Sequence, residues 1–286
     1  MISRLSYYVA PLLDDNLSFS QFESNIIEFC DLLGSIIDNE DEIKVPAELY
    51  ELAIVNDIIF ADYLFNSEYA GDTRELFFEI IMKQNIADID YNTLFNMLDS
   101  KENTSYSALT GIVENKFIDQ DQLYVKNKNC ICFPHRFYLL RSRNLDDFKR
   151  NYKKCFPLLI FHERIDRTLN VFNDISEHIE EVVRHLSVLN DFAKELYLES
   201  GGASDEIYRR LKSEYSIISS GRGSNESLSK FLCNFSNMDN EFEEVRCNPH
   251  SKLYTEYSEY RIYFNWGRER IENGKILIGH IGGHWE

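Results

Sequence analysis

The sequence has few residues that break secondary structure and no long apolar run. It contains five prolines and twelve glycines among 286 residues. Its longest apolar stretch lies near Cys155–Phe161, far shorter than the ~20 residues that a membrane-spanning helix needs. Its first residues also lack the basic and then apolar segments of a secretory signal. We therefore expect a soluble, cytoplasmic protein that does not contact a membrane.

The six cysteines lack the spacing of a redox motif or a zinc knuckle. In a cytoplasmic chain of this length, cysteines are normally reduced thiols. Cys130 and Cys132 have the spacing that places two side chains on one face of a strand. A set with the right number of zinc ligands lies nearer the C-terminus: Cys247, His250, His280 and His284. Because that set matches no zinc pattern, we predict no metal and no cofactor, with zinc as the alternative.

Positive charge is scarce in the first third of the chain. The net charge is −18 at pH 7, and residues 1–100 supply −16 of it, with 20 acidic and 4 basic residues. Nucleic acids and anionic lipids are polyanions, so the surface as a whole is unsuited to binding them. The asymmetry predicts instead that the acidic residues 1–100 face a protein partner or mask another part of the chain.

A basic block follows the acidic region and carries +7 over residues 126–154. Its nine bases are Lys126, Lys128, Arg136, Arg141, Arg143, Lys149, Arg150, Lys153 and Lys154. Phe137 and Tyr138 interrupt the block, and bases mixed with aromatics suit a nucleic-acid backbone with stacked nucleobases. The alternative is that the block docks against the protein's own acidic region or is simply solvated.

Hydrophobic periodicity predicts an α+β fold. Helices are expected over 18–38, 47–67, 73–84, 90–99, 145–154 and 176–199, and a strand over 4–13. A short hairpin is expected over 123–133, with its turn at 126–129. We divide the chain into an acidic helical region (1–100), a mixed region with the basic block (101–215), a Ser/Gly-rich linker (216–229) and a C-terminal β-hairpin domain (230–286).

The C-terminal hairpin contains the residue types best suited to chemistry. Residues 260–266 and 275–281 read as its two strands. If Ile262 and Phe264 face the core, Arg261 and Tyr263 project outward. A guanidinium beside a phenol suits a phosphate and a stacked base. The alternative is an edge hairpin whose polar face is solvated.

This hairpin resembles the terminal strands of RelE/ParE-type toxin domains. The similarity covers Lys252–Glu286: Tyr-Arg-Ile-Tyr-Phe, a polar turn, then Gly-Lys-Ile-Leu-Ile-Gly-His-Ile-Gly-Gly-His. Many such domains cleave mRNA on the ribosome without a metal. The resemblance implies that Arg261 binds phosphate, beside Tyr263, and that His280 or His284 transfers protons. The chain departs from these basic toxins because residues 225–286 carry −3 and Gly282-Gly283 follows the strand.

Two functions follow from these features. The first is a bacterial toxin or anti-phage defence effector that acts on RNA or a nucleic-acid complex and is restrained by its acidic N-terminal part. The string is also similar to C-terminal segments of larger bacterial proteins linked to phage defence. If the protein is an enzyme, it is expected to be a metal-independent ribonuclease. The second function is a non-enzymatic adaptor of a defence complex, whose acidic helices bind a basic partner.

Overall fold

The computed structural model describes residues 4–11, 18–55, 58–69, 71–112, 114–221 and 231–285. It divides into two compact units, Met1–Tyr138 and Leu139–Glu286. Helices, a parallel sheet and a small C-terminal antiparallel arrangement occur in the same chain, which confirms the predicted α+β class. Within these residues no helix is long and apolar enough to cross a membrane.

The first unit alternates strands and helices. Its strands are β1 (Ser6–Val9), β2 (Glu42–Pro46), β3 (Ala53–Val55), β4 (Ile58–Ile59), β5 (Asn85–Ala87), β6 (Ser107–Thr110) and β7 (Tyr124–Val125). Its helices are α1 (Phe19–Asp38), α2 (Phe60–Phe65), α3 (Asp72–Met82), α4 (Tyr91–Asp99) and α5 (Cys132–Leu139).

The main sheet of this unit is wholly parallel. Its strand order is β5-β2-β1-β6-β7, so β1 lies at the centre, with β2 and β5 on one side and β6 and β7 on the other, and all four follow β1 in the sequence. Tyr7 and Tyr8 of β1 point to opposite faces, yet both are buried. Burial on both faces is what a covered parallel sheet requires, and the hydrophobic periodicity of the chain did not predict such a sheet.

Helix α1 begins and ends as its sequence predicts. Ser18 and Gln21 form a capping box, in which each residue's side chain bonds the other's backbone amide. The predicted apolar stripe is buried at Phe22, Ile26, Phe29 and Leu33. The last buried residue of this face is Ile36, whereas Ile37, which the same apolar spacing would place on it, is 44% exposed.

Two predicted elements of the first unit are wrong. Residues 47–67 are not one helix but a 3₁₀ turn (Ala47–Glu51), the antiparallel pair β3 and β4, and α2. The cause is the β-branched residues around 54–59, which favour extended backbone. The hairpin over 123–133 does not form either, because β7 pairs in parallel with β6 and Cys132 begins α5. Cys130 and Cys132 therefore do not share a strand.

The second unit combines short helices with antiparallel pairs. Its strands are β8 (Leu159–Phe161), β9 (Ile218–Ser220), β10 (Leu232–Ser236), β11 (Phe242–Arg246), β12 (His250–Lys252), β13 (Arg261–Asn265) and β14 (Ile276–Gly282). Its helices are α6 (Leu145–Asn151), α7 (Ile165–Thr168), α8 (Ile179–Asp191), α9 (Ala193–Glu199) and α10 (Ser204–Tyr215). The helix predicted over 176–199 is thus interrupted, at Phe192.

The five-stranded sheet of this unit has the order β8-β14-β13-β12-β9. The predicted C-terminal hairpin is confirmed as the antiparallel pair β13–β14. One face of the sheet, with Ile262 and Phe264, packs in the core that contains α8. The other face, with Tyr263 and Leu277, is covered by side chains of the separate hairpin β10–β11 and by Trp285.

The sheets do not follow the four regions drawn from composition. Strand β6 follows residue 100 but belongs to the same sheet as β1 and β2. Strands β8 and β9 precede residue 230 but complete the sheet of the C-terminal hairpin. In the predicted linker, β9 occupies 218–220, while residues 222–229 lie outside the described part of the chain.

Candidate functional site

Four polar side chains form a row across the sheet of the second unit. Ser220 of β9 is opposite His250 of β12, which is opposite Tyr263 of β13, which is opposite His280 of β14. Residues directly opposite each other in a sheet point to the same face. We call Ser220, His250, Tyr263 and His280 the His–Tyr row. Two positions along the strands, Lys252 is opposite Arg261 on the same face.

The rings of the His–Tyr row are in contact. The centre of the Tyr263 ring lies 5.0 Å from that of His250 and 5.6 Å from that of His280. His284, beyond the end of β14, lies 6.5 Å from the same phenol ring. The pairing shifts by one residue after Tyr263 and His280, which leaves Gly279 of β14 without an opposite residue. Three imidazoles thus surround one phenol.

Hydrogen bonds define which ring nitrogens are protonated. His280 Nε2 lies 2.8 Å from the carbonyl oxygen of Gly283, an acceptor, so Nε2 carries the proton. The Nδ1 atom of His280 is then a buried lone pair without a partner among the described residues. In His250 the assignment is reversed, since Nδ1 faces the Asn248 carbonyl at 3.4 Å and Nε2 accepts from the Ser220 hydroxyl at 3.1 Å.

Both histidines of the row are neutral at physiological pH. The pKa of His250 is lowered to about 4, mainly by burial and to a smaller extent by the charges of Arg261 and Lys252. Burial also lowers the pKa of His280 to about 4, with a further contribution from the charge of Arg164. Neighbouring His284 acts in the same direction on both. In a chain of net charge −18, these two imidazoles have cationic neighbours.

The guanidinium of Arg261 has unused hydrogen-bonding capacity. Its Nη1 donates to the Ser258 carbonyl at 2.6 Å, and its Nε is buried without a partner in the part of the chain described. A guanidinium presents five donors in a fixed fork, which matches a phosphate. Arg261 is half-buried, so this fork is held in place and is partly accessible.

The structure brings the four predicted catalytic residues, Arg261, Tyr263, His280 and His284, to one face. Their accessibility differs from the prediction, since Tyr263 does not project into solvent but is completely buried. The covering residues are Phe231, stacked at 5.3 Å, and Trp285, at 5.5 Å. The predicted outward direction is correct, but a second layer lies on that face. His284 is exposed.

Sequence reasoning missed three members of this site. Ser220 lies in the segment predicted to be a linker. Lys252 is a single lysine that belongs to no motif, so no local pattern marks it. Arg164 lies nearly a hundred residues before the hairpin, and its guanidinium stacks 4.3 Å from the centre of the Trp285 ring. The parallel pairing of β8 with β14 places this arginine here. A local sequence pattern cannot reveal that pairing, although the polar alternation in β12 is a weak signal.

A metal is not required to explain these contacts. No group of three or more potential metal ligands comes together among the described residues. The alternative zinc set of Cys247, His250, His280 and His284 is therefore not assembled as a cluster of ligands in this part of the chain.

The basic block does not form one continuous feature. Lys126, Lys128 and Arg136 belong to the first unit, and the bases from Arg141 to Lys154 belong to the second. Arg136 is buried. Lys128 Nζ lies 3.4 Å from Asp31 Oδ2 of the acidic helix α1, the kind of contact that self-docking predicts.

Within the second unit, several bases of the block contact neighbouring polar groups. Lys149 Nζ donates to Asn170 Oδ1 at 2.5 Å, and Arg150 pairs with Asp147. Lys153 Nζ lies 3.5 Å from Asp166 Oδ2. Arg141, Arg143 and Lys154 are also exposed.

No protein family, curated protein or solved structure matches this chain.

Proposed function

We propose that this protein is a bacterial toxin or anti-phage effector that acts on RNA through Arg261, Lys252 and His284, which lie beside the His–Tyr row. One observation carries the proposal: two buried neutral imidazoles lie beside Arg261, Lys252 and Arg164 in a strongly acidic chain. Such an arrangement disfavours cations and favours an anion with several acceptor oxygens. The phosphodiester of RNA is an anion of that kind.

The proposed reaction is transfer of the RNA phosphodiester to its own 2′-oxygen. Arg261 and Lys252 bind the non-bridging oxygens, where negative charge develops. Exposed His284 transfers the proton between the 2′-hydroxyl and the leaving 5′-oxygen. Tyr263 is fully buried, so we assign it, together with His280, to positioning the His284 ring rather than to contact with RNA.

The test is cleavage of a short single-stranded RNA by the full-length protein in the presence of a chelator. Replacing His284 with Ala, or Arg261 with Ala, is expected to lower the cleavage rate about 100-fold. Arg268→Ala is the matched control, because Arg268 is an exposed cation in the turn after β13. A 2′-deoxy nucleotide at the cleaved position is expected to block the reaction. Cleavage that survives both site variants would refute the assignment.

In this proposal the acidic residues 1–100 restrain the basic block of residues 126–154, as an antitoxin restrains a toxin. The helix α1 presents exposed acids, among them Glu28 and Asp31. Charge reversal at both positions in the full chain is expected to raise RNA affinity and growth toxicity. If the RNA affinity is unchanged while circular dichroism shows an intact fold, residues 1–100 do not restrain RNA binding. The proposed cleavage reaction is then still judged by its own test.

A second candidate is a non-enzymatic adaptor whose acidic helices bind a basic partner. Helix α3 favours it, since Leu76 and Met82 are 47% and 49% exposed beside Glu75 and Glu79. Exposed apolar side chains with acids around them suit a basic, partly apolar protein surface. Under this alternative, Arg261→Ala with His280→Ala leaves the cellular activity intact, and charge reversal on α1 and α3 abolishes it.

A further inference from the structure

A pair of thiols lies beside the His–Tyr row and has no part in the proposed RNA chemistry. Cys233 of β10 is opposite Val245 of β11. Cys247 follows β11, and its amide donates to the Phe231 carbonyl at 2.8 Å, which extends the ladder. Cys233 and Cys247 are thus diagonal neighbours on one face of the hairpin. Both are free thiols.

The two sulfur atoms occupy the space above one glycine. A Cβ at Gly279 of β14 would lie 2.7 Å from Cys247 Sγ and 3.1 Å from Cys233 Sγ. Any side chain at this position would displace one of the thiols. The absence of a side chain at Gly279 therefore allows the two sulfurs to lie together, next to His280.

The surroundings of the pair make its two members different. The Cys247 thiol hydrogen-bonds to Cys233, and the guanidinium of Arg164 bonds to Cys233 as well. These contacts lower the pKa of Cys233, although burial opposes them. The same hydrogen bond, together with burial, raises the pKa of Cys247. Arg164 is held in place by its stacking on Trp285.

Other buried cysteines lack such a setting. Cys30 is as buried as Cys233, but burial and the charge of Asp31 raise its pKa to about 12. Cys155 is buried shortly after the end of α6, where its thiol donates to the Asn151 carbonyl at 3.4 Å. Because all four are similarly buried, access alone does not distinguish the pair from these two. The neighbouring cation and the second sulfur do.

We propose that Cys233 and Cys247 form an oxidation site for hydroperoxides, with Cys233 as the attacking thiol and Cys247 as the resolving thiol. In the first step the Cys233 thiolate attacks one peroxide oxygen, the O–O bond breaks, and sulfenic acid and hydroxide form. In the second step the Cys247 sulfur attacks the sulfenic sulfur, and a disulfide and water form. The sulfur atoms lose two electrons, and the peroxide gains them.

The disulfide would act on the proposed RNA site through the chain next to it. Cys247 precedes the carbonyl of Asn248 that holds His250, and Gly279 precedes His280. Pulling the sulfurs together shifts the hairpin over both histidines. The oxidation itself does not depend on any activity toward RNA.

The test is peptide mapping by mass spectrometry after the native full-length protein is treated with hydrogen peroxide, unfolded and alkylated. We expect a cross-linked pair of peptides, lighter by two hydrogens, to form ~10-fold faster than Cys30 or Cys155 loses its free thiol. Equal loss of all four thiols, or alkylation of Cys233 and Cys247 at a time when Cys155 is oxidised, overturns the proposal. This result needs no variant.

Two variants then assign the roles within the pair. Cys247→Ser is expected to leave Cys233 as a sulfenic acid, which a cyclic 1,3-dione captures. Cys155→Ser is the matched control and should still form the disulfide at the wild-type rate. Capture of sulfenic acid on Cys247 in a Cys233→Ser variant, but none on Cys233 in the reverse variant, would contradict the assigned order.

Discussion

His135 Nε2 lies 2.8 Å from Asp41 Oδ2 in the interior of the first unit, and both side chains are buried. The second carboxylate oxygen, Oδ1, accepts the Leu5 amide at 2.9 Å just before β1. One carboxylate therefore connects α5 to the beginnings of β1 and β2.

Removal of this carboxylate is expected to destabilise the first unit. Asp41→Ala leaves the Leu5 amide and the His135 ring buried without an acceptor, at a cost of about 3 kcal/mol in the free energy of unfolding. Asp41→Asn keeps one acceptor oxygen and should cost less. Urea denaturation followed by circular dichroism measures both. As a control, Glu79→Ala removes an exposed pair with Lys83 and should change stability by less than about 0.5 kcal/mol. Equal effects of the Asp41 and Glu79 variants would contradict the expectation.

Stability is expected to fall between pH 6.5 and pH 4 because of the His–Tyr row. His250 and His280 have an unfolded pKa of 6.5 and a folded pKa of about 4, so the unfolded chain binds more protons in this range. Their contribution is complete above pH 6.5 and is lost as the pH falls toward 4, by up to about 3 kcal/mol for each residue. Urea denaturation at a series of pH values measures it. His280→Gln should flatten the slope, and a slope unchanged by this variant would assign the loss elsewhere.

Glu181 should stabilise α8 and its neighbours at lower pH values than those at which His250 and His280 contribute. Its Oε1 accepts from Arg184 Nη2 at 2.8 Å, His185 Nε2 at 3.1 Å and the Tyr254 amide at 2.6 Å. The His185 hydrogen bond, followed by that of Arg184, lowers the pKa of this carboxyl far below its usual range. Its contribution is therefore present above pH 4.5 and is lost only as the pH falls further below that value.

A substitution at Glu181 distinguishes its contribution to stability from that of His250 and His280. Glu181→Ala is expected to lower the free energy of unfolding near neutral pH by about 2 kcal/mol, because it removes the acceptor of the buried His185 ring and of two further donors. Glu206→Ala on α10 is the control, since its pair with Arg209 is exposed and 3.9 Å long. A Glu181 variant as stable as the control would mean that these donors find other acceptors.

Two glycine-to-alanine substitutions should have opposite effects. At Gly267, φ is +104° and a Cβ would lie 2.2 Å from the Gly274 carbonyl oxygen, so Gly267→Ala is expected to cost more than about 2 kcal/mol. At Gly34, inside α1, a Cβ would meet nothing within 4 Å. Gly34→Ala should raise helix stability by about 0.5–1 kcal/mol. Thermal unfolding measures both, and a change of the same sign in the two variants would contradict the prediction.

Local signals predicted elements well where the sequence marks their ends. The capping box of Ser18 and Gln21 stands at the start of α1, and Asp90 caps α4 by accepting the Thr93 amide; both are residue types that favour a helix start. The alternation in 260–266 predicted β13 and its pairing with β14. These features depend on residues close together in the sequence, so a single chain reveals them.

The sequence did not predict the pairing of strands that lie far apart along the chain. The strands of the parallel sheet have two to five residues, too few for a reliable period, and each is joined to its neighbour by a long crossover. The burial of Tyr263 depends on Phe231 and Trp285 in a second layer. Ser220 and Arg164 enter the site through β9 and β8, whose partners lie far along the chain.

The central position of β1 has a consequence for how the first unit folds. During synthesis β1 leaves the ribosome before either neighbour, since Tyr7 pairs with Ile43 on one side and with Ala108 on the other. Closing such long loops is slow, because chain entropy is lost before the contacts form. The β13–β14 hairpin, in contrast, joins residues close in sequence. During synthesis, β1 therefore exists for some time without its neighbouring strands, and its apolar side chains are exposed. In refolding, completion of the parallel sheet is expected to be the slowest step.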